Sequence, residues 1–220
     1  MAAPDTTTRD PSAPSEADAE LAIAVATEAA SGALRAGTKA PLFTLADETG
    51  AQVALGDLLR MGPVVLHFIR GAWCSFSEQS LKDFAATHRQ VVALGASAVA
   101  ITPVRVGHAH IEGLPVRELQ DVEMRVIRQF GLAFTLPKGL RKRYVNLGYS
   151  PPAPREAGEW LVPLPATYVL DRDGTVVLGA VDSDYRQPFD PLFLLTALKA
   201  LKARGGRSPQ YIARPRTDHT

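Results

Sequence analysis

This chain has almost no cysteine: Cys74 stands alone among 220 residues. A disulfide within one chain is thereby excluded, and the usage fits a reducing compartment. An excess of either charge is also missing, because 24 Lys and Arg face 23 Asp and Glu and leave a net charge of +1. Such a balance points neither to nucleic acid nor to electrostatic docking on a membrane. No apolar run approaches the length that spans a bilayer. The opening residues, MAAPDTTTRDPSAPSEADAE, lack the basic start and apolar stretch of a secretory signal, so the chain reads as cytoplasmic. Also missing are an internal repeat, a Gly-rich phosphate loop, a nucleophilic serine elbow and paired carboxylates. No cofactor is expected.

What is present suits a core. Hydrophobic residues make up 46% and charged residues 21%, which at this length fits a single domain. Residues 1–16, rich in Ala, Pro, Thr, Ser and Asp, read as a disordered N-terminal tail. Residues 204–220, RGGRSPQYIARPRTDHT, read as a basic C-terminal tail, either solvated or a docking arm. The domain is expected over residues 17–203.

An alanine-rich helix is predicted over residues 17–34. A short strand over 39–45 turns at Asp47-Glu48-Thr49-Gly50 into a second at 52–55, with a helical turn over 56–59. Residues 64–69, VVLHFI, form an apolar run interrupted only by His67, the pattern of a central strand buried on both faces. One helix is expected from 75 to about 94, and a second buried strand, AVAIT, over 98–102. Helices follow over 122–130 and 136–147. ATYVLD and TVVLGA, joined through Asp173-Gly174, read as an antiparallel hairpin. An amphipathic helix begins at Pro191. This order gives an α/β fold, a mixed central sheet flanked by helices on both faces.

Cys74 falls where the first central strand passes into the helix after it. A thiol there faces unpaired backbone N–H groups and the positive end of the helix dipole, and both favour the thiolate. Arg70, four residues earlier, adds positive charge, and Trp73 an apolar wall. The competing reading is a small buried core residue, as many lone cysteines are. His108 and His110 resemble a pair of metal ligands, but no third ligand lies near them in sequence. His67 reads as a hydrogen-bonded core histidine, with pocket lining as the alternative. The run Leu140-Arg141-Lys142-Arg143-Tyr144 reads as a solvated helix face, or as steering for an anionic thiol such as glutathione. Tyr185 and Arg186 follow the hairpin, at what would be a pocket rim.

Four segments carry a resemblance: GTKAPLFTLADETG, VVLHFIRGAWCSFS, FGLAFTLPKGLRKRYVNLG and LVPLPATYVLDRDGTVV. Taken in order, over about residues 37–203, they resemble the peroxiredoxin-like branch of the alkyl hydroperoxide reductase/thiol-specific antioxidant family, within the thioredoxin-like superfamily. The second segment is similar to a family stretch that usually reads Phe-Tyr-Arg-Gly-x-Trp-Cys-Pro-Tyr-Cys. The resemblance implies a thioredoxin-like fold with Cys74 as nucleophile, assisted by Arg70 and Ser77. Trp73, Phe76, Leu164 and Pro165 would bind substrate. It also implies a cis Leu164–Pro165 bond that brings the Leu164 backbone beside Cys74.

Two departures bound the chemistry. The family's second cysteine falls on Ser77, so this Cys-x-x-Ser motif cannot close an internal disulfide. Ser77 either supports the Cys74 thiolate by a hydrogen bond or marks a site that has decayed or taken up other chemistry. True peroxiredoxins also carry Pro-x-x-x-Thr-x-x-Cys, and the matching positions here are His67 and Gly71. The arginine those enzymes place near the hairpin has no clear match, and Arg70 answers it in charge only. The resemblance thus implies a one-cysteine oxidoreductase that reduces a peroxide or disulfide and is regenerated by an external thiol. That thiol would be a thioredoxin-like protein or a low-molecular-weight thiol, and the resemblance also allows a homodimer. The alternatives are a thioredoxin-fold enzyme recruited to a specialised biosynthetic reaction and a non-catalytic thioredoxin-fold binding protein.

Overall fold

In the computed structural model of the chain, residues 15–103, 113–150 and 159–205 are described. His108 and His110, most of each predicted tail and part of the loop before Trp160 lie outside them. Ser15 begins α1 (Glu16–Ala30) with a capping box, its hydroxyl accepting the Asp18 N–H while the Asp18 carboxylate accepts the Ser15 N–H. The helix therefore starts at the last residue of the predicted tail. Its buried face is alanine only: Ala19, Ala22 and Ala26.

β1 (Thr44–Ala46) and β2 (Gln52–Ala54) pair antiparallel around Asp47, whose carboxylate accepts the Thr49 and Ala51 N–H groups. α2 (Leu55–Met61) leads into β3 (Val64–Phe68), which is buried at every position. The helix expected from 75 to 94 is two, α3 (Ser75–Ala86) and α4 (His88–Ala93). Between them the Thr87 hydroxyl donates to the Phe84 carbonyl and takes up the end of the first. β4 (Ser97–Thr102) follows, then β5 (Arg117–Gln120). α5 (Arg125–Gln129) starts later than predicted, because Met124 is left-handed (φ 52°) and the Asp121 carboxylate caps the Arg125 and Ile127 N–H groups. β6 (Ala133–Thr135), a 3₁₀ turn over Lys138–Leu140, α6 (Arg141–Asn146) and β7 (Leu161–Pro163) form an insertion in which β6 and β7 pair. β8 (Ala166–Leu170), β9 (Val176–Val181) and α7 (Pro191–Gly205) complete the chain.

The seven-stranded sheet runs β2-β1-β5-β4-β3-β8-β9. β3 pairs parallel with β4 and antiparallel with β8, so the sheet is mixed, as expected. Period-2 alternation divides the core. Val64, Leu66 and Phe68 pack on one face with α5 and the insertion. Val65 and Ile69 pack on the other with Leu81 and Phe84 of α3 and Leu194 and Leu198 of α7.

One expectation is overturned. No peptide among the described residues is cis, so the Leu164–Pro165 bond is trans. Nothing there demands a tight turn, since the chain runs directly from β7 in the small sheet to β8 in the large one. The Leu164 N–H donates to the Leu132 carbonyl at 2.8 Å and the Pro165 carbonyl accepts from Asp182 at 2.9 Å. Trans, the default for X–Pro, meets both bonds. The hairpin itself stands where it was predicted.

His67 lies inside the sheet, on β3. Its ring nitrogens contact the hydroxyls of Thr167 (2.9 Å) and Ser80 (3.0 Å), and the ring stacks on Phe84. Burial holds its pKa at about 3, below the ordinary 6.5. The fold favours the neutral ring, so this contribution is full above pH 6.5 and is lost as pH falls towards 3. Denaturant unfolding from pH 7 to pH 4 should lose about 1.4 kcal/mol per pH unit below 6.5 from this residue alone. His67→Asn should remove that component. If both proteins lose stability in parallel, the ring is not buried neutral.

Candidate active site

The site forms where β3 ends. Ile69 still pairs with the sheet through its N–H to Ile101, and the next four residues turn the chain into α3. Gly71 permits the turn: at φ 108° it occupies backbone space that side chains rarely adopt, and a Cβ there would press the Trp73 indole at 3.3 Å. Cys74 is the N-cap residue of α3, as the sequence suggested, and it is only 5% exposed, but its sulfur makes no capping hydrogen bond to the first N–H groups of the helix. This is the crevice beyond the carboxyl ends of the parallel strands β3 and β4, a habitual ligand position in open α/β sheets.

Arg70 governs the geometry. It is 2% exposed, and among the described residues no carboxylate pairs with it. One guanidinium N–H donates to Cys74 Sγ at 3.7 Å and another to the Tyr144 hydroxyl at 3.0 Å. The guanidinium carbon lies 3.9 Å from the Tyr185 ring centroid and 4.6 Å from that of Trp73. The Arg70 backbone N–H donates to Ser77 Oγ at 3.1 Å. Ser77 thus binds the residue that touches the sulfur, whereas the sequence suggested a bond to the sulfur itself.

Beside the sulfur opens a cavity of about 230 Å³. Its walls are Arg70, Trp73, Phe76, Tyr144, Leu147 and Tyr185, with Arg186 and two residues of α1, Glu16 and Ala19. Trp73 packs against Tyr144 and Tyr149, and Phe76 against Tyr185. Burial raises the Tyr185 pKa above its ordinary value, more than neighbouring Arg70 lowers it, so this phenol stays protonated at neutral pH. A hollow of about 10 Å³ adjoins it, lined by Arg70, Phe76, Ser77, Pro165, Asp182 and Tyr185 among others.

Of the residues picked from the sequence, Arg70, Trp73, Cys74 and Phe76 line the cavity, and Ser77 and Pro165 stand in the adjoining hollow. Leu164 is not brought in: its side chain is in the core and its N–H is spent on Leu132. Tyr144, read within a basic run, turns inward and is buried. Tyr185 and Arg186 do form a rim. The sequence reading missed Glu16 and Ala19, and an alanine-rich helix carries no mark of what it covers. Among the described residues no group of three metal-ligating side chains occurs, and no helix is long and apolar enough to cross a membrane.

Comparison with known proteins adds the following. The family model described as the AhpC/TSA family matches residues 36–178. None of the curated proteins compared with the chain matches it. Among solved structures, peroxidoxin BcpB of Mycobacterium tuberculosis is 23% identical, with a TM-score of 0.58 over 76% of this chain and 98% of its own. Peroxiredoxin Q of Xanthomonas campestris is 17% identical, with a TM-score of 0.55 over 73% and 91%. Peroxiredoxin 6 of Arenicola marina is 13% identical, with a TM-score of 0.59 over 78% and 75%. At these identities the likeness establishes the thioredoxin-like fold.

A charge-assisted hydrogen bond to sulfur predicts a measurable dependence of Cys74 on Arg70. Arg70→Met keeps the stem and removes the charge, and alkylation of Cys74 by iodoacetamide at pH 7 should slow roughly 10- to 100-fold. Tyr144→Phe, which removes only the hydroxyl that orients the guanidinium, should slow it by a smaller factor. Unchanged rates in both would mean that Arg70 does not act on the sulfur.

Proposed function

This chain belongs to the AhpC/TSA family and is an oxidoreductase of its peroxiredoxin-like kind; from that premise we propose that Cys74 is the nucleophile of a one-cysteine peroxidase. The observation that carries this reading is the contact between a buried sulfur and a buried guanidinium that no carboxylate among the described residues neutralises. A guanidinium N–H aimed at sulfur is a charge-assisted donor, placed to hold negative charge that develops there. Trp73, Phe76, Tyr144 and Tyr185 give the substrate an aromatic wall beside the sulfur.

In the proposed cycle the Cys74 thiolate attacks one oxygen of the peroxide. The S–O bond forms as the O–O bond breaks, sulfur becomes a sulfenic acid, and the departing oxygen takes a proton from solvent and leaves as alcohol or water. Arg70 is then the group placed to bind the charge that develops on oxygen. An external thiol attacks the sulfenic sulfur, releasing water and leaving a mixed disulfide. A second thiol breaks that bond and returns the Cys74 thiolate with formation of the symmetrical disulfide. A disulfide substrate would join the same cycle at the mixed disulfide. Pro165 shapes the hollow behind Ser77 and serves substrate binding only indirectly, while Leu164 is assigned no contact.

Cys74→Ser should lower thiol-dependent peroxide consumption roughly a hundredfold or more. Mass spectrometry of oxidised wild type should find a sulfenic acid, or a mixed disulfide when a small thiol is present. Ser77→Cys should instead form an internal disulfide, because positions i and i+3 at a helix start lie close together. If wild type and Ser77→Cys both leave peroxides and disulfides untouched, the reading fails and the cavity serves binding or another reaction.

A further inference from the structure

We propose that α1 is a sieve over Cys74: it admits a peroxide and a low-molecular-weight thiol to the sulfur and bars a protein thiol. The inference rests on the proposed function only in naming the reductant. The barrier itself is a property of the fold.

α1 ends before residue 36, where the match to the family begins, so the helix lies outside the matched part of the chain. Yet Glu16 and Ala19 of this helix complete the wall of the cavity that holds Cys74. Cys74 as a residue is only 5% exposed. The remaining space, about 230 Å³, is below the range of about 300–1,000 Å³ usual for drug-sized ligands. A peroxide or a small thiol fits it. A cysteine carried on a folded protein must bring its backbone and neighbours with it, and these do not fit beneath a docked helix.

The two ends of α1 are held differently. Just past its C-terminus the chain is fixed to the core: the Leu34 N–H donates to Phe130 at 3.0 Å and the Leu34 carbonyl accepts the Tyr168 hydroxyl at 3.1 Å. Gly131 presses on the Gly32 carbonyl so closely that an added Cβ would lie 2.2 Å from it. The N-terminal end, beside the cavity, is held by charge. Arg186 pairs with Glu16 at 2.9 Å and with Glu20 at 3.3 Å, and Arg143 of α6 pairs with Asp18. The seam between these ends is the alanine face, one methyl per residue, so little apolar area seals it. Surface ion pairs and a thin seam make an end that releases before the rest of the fold.

Cys74 is the only cysteine, so maleimide labelling of the full chain reads it alone. N-ethylmaleimide and a maleimide on a long polyethylene glycol chain share a reacting group and differ in bulk. Normalised to their rates with free glutathione, the bulky reagent should label wild type roughly a hundredfold more slowly, as expected if the open form is populated at about 1%. The triple variant Glu16→Gln, Asp18→Asn, Glu20→Gln should raise the bulky rate about tenfold and the small rate less than about twofold. Ala26→Glu, which puts a charge into the alanine seam without touching the ion pairs, should change the ratio in the same direction. Equal normalised rates in wild type, or an unaltered ratio in both variants, would overturn the sieve. Size-selective labelling in a chain that consumes no peroxide would leave the sieve standing and remove the proposed function.

Discussion

A guanidinium taken out of water must be compensated, and Arg70 is compensated without a carboxylate among the described residues. The sulfur of Cys74, the hydroxyl of Tyr144 and the faces of Tyr185 and Trp73 share the task. These four groups come from three separate parts of the chain. Cys74 and Trp73 belong to the turn after β3, Tyr144 to α6 in the insertion, and Tyr185 to the segment after β9. Folding must therefore bring these parts together before the cation is tolerable, and the site is as much a consequence of Arg70 as a reason for it.

The sheet supplies the fixed point. β3 is buried on both faces and bonded on both edges, so the direction in which it delivers residues 69–74 is set by the paired centre of the sheet. Helix α3 leaves at once, with its first turn aimed back at the crevice. Insertion and hairpin then close round this turn, and α1 lies across the remaining side. The rigid half of the site carries the sulfur, and the less firmly held half decides what reaches it. That division matches the usual contrast between a stable core and elements of low local stability.

Much of this was legible in the sequence. The runs at 64–69 and 98–102 and the Asp-Gly hairpin mark four neighbouring strands, β4-β3-β8-β9, and Arg70, Trp73 and Cys74 are brought together by spacing. What was not legible has physical reasons. β5 is RELQ, with two charged residues in four, and reads as a strand only once β4 and β1 lie beside it. β6 and β7 have three residues each, too few to show a period. Tyr144 sits in a basic run whose neighbours do face solvent, so local sequence argues against its burial. The break at Thr87 depends on one hydroxyl choosing a carbonyl, a choice tertiary packing makes. The trans Leu164–Pro165 bond corrects an expectation taken from the superfamily, and here the direct passage between sheets removes its cause.

Ser77 is where these threads meet. A serine in place of a resolving cysteine looks at first like loss, because the chain can no longer release its own mixed disulfide. The structure gives the hydroxyl something to do: it accepts the backbone N–H of Arg70 at 3.1 Å, inside the fold, where that N–H would otherwise go unpaired. A thiol is a weaker acceptor than a hydroxyl at the same position. The substitution therefore trades an internal resolving group for a firmer hold on Arg70, the cation that touches the sulfur among the described residues. A chain that has made that exchange depends on an outside thiol for every turnover, and its selectivity for that thiol has to lie in the approach to the cavity, the side that α1 covers.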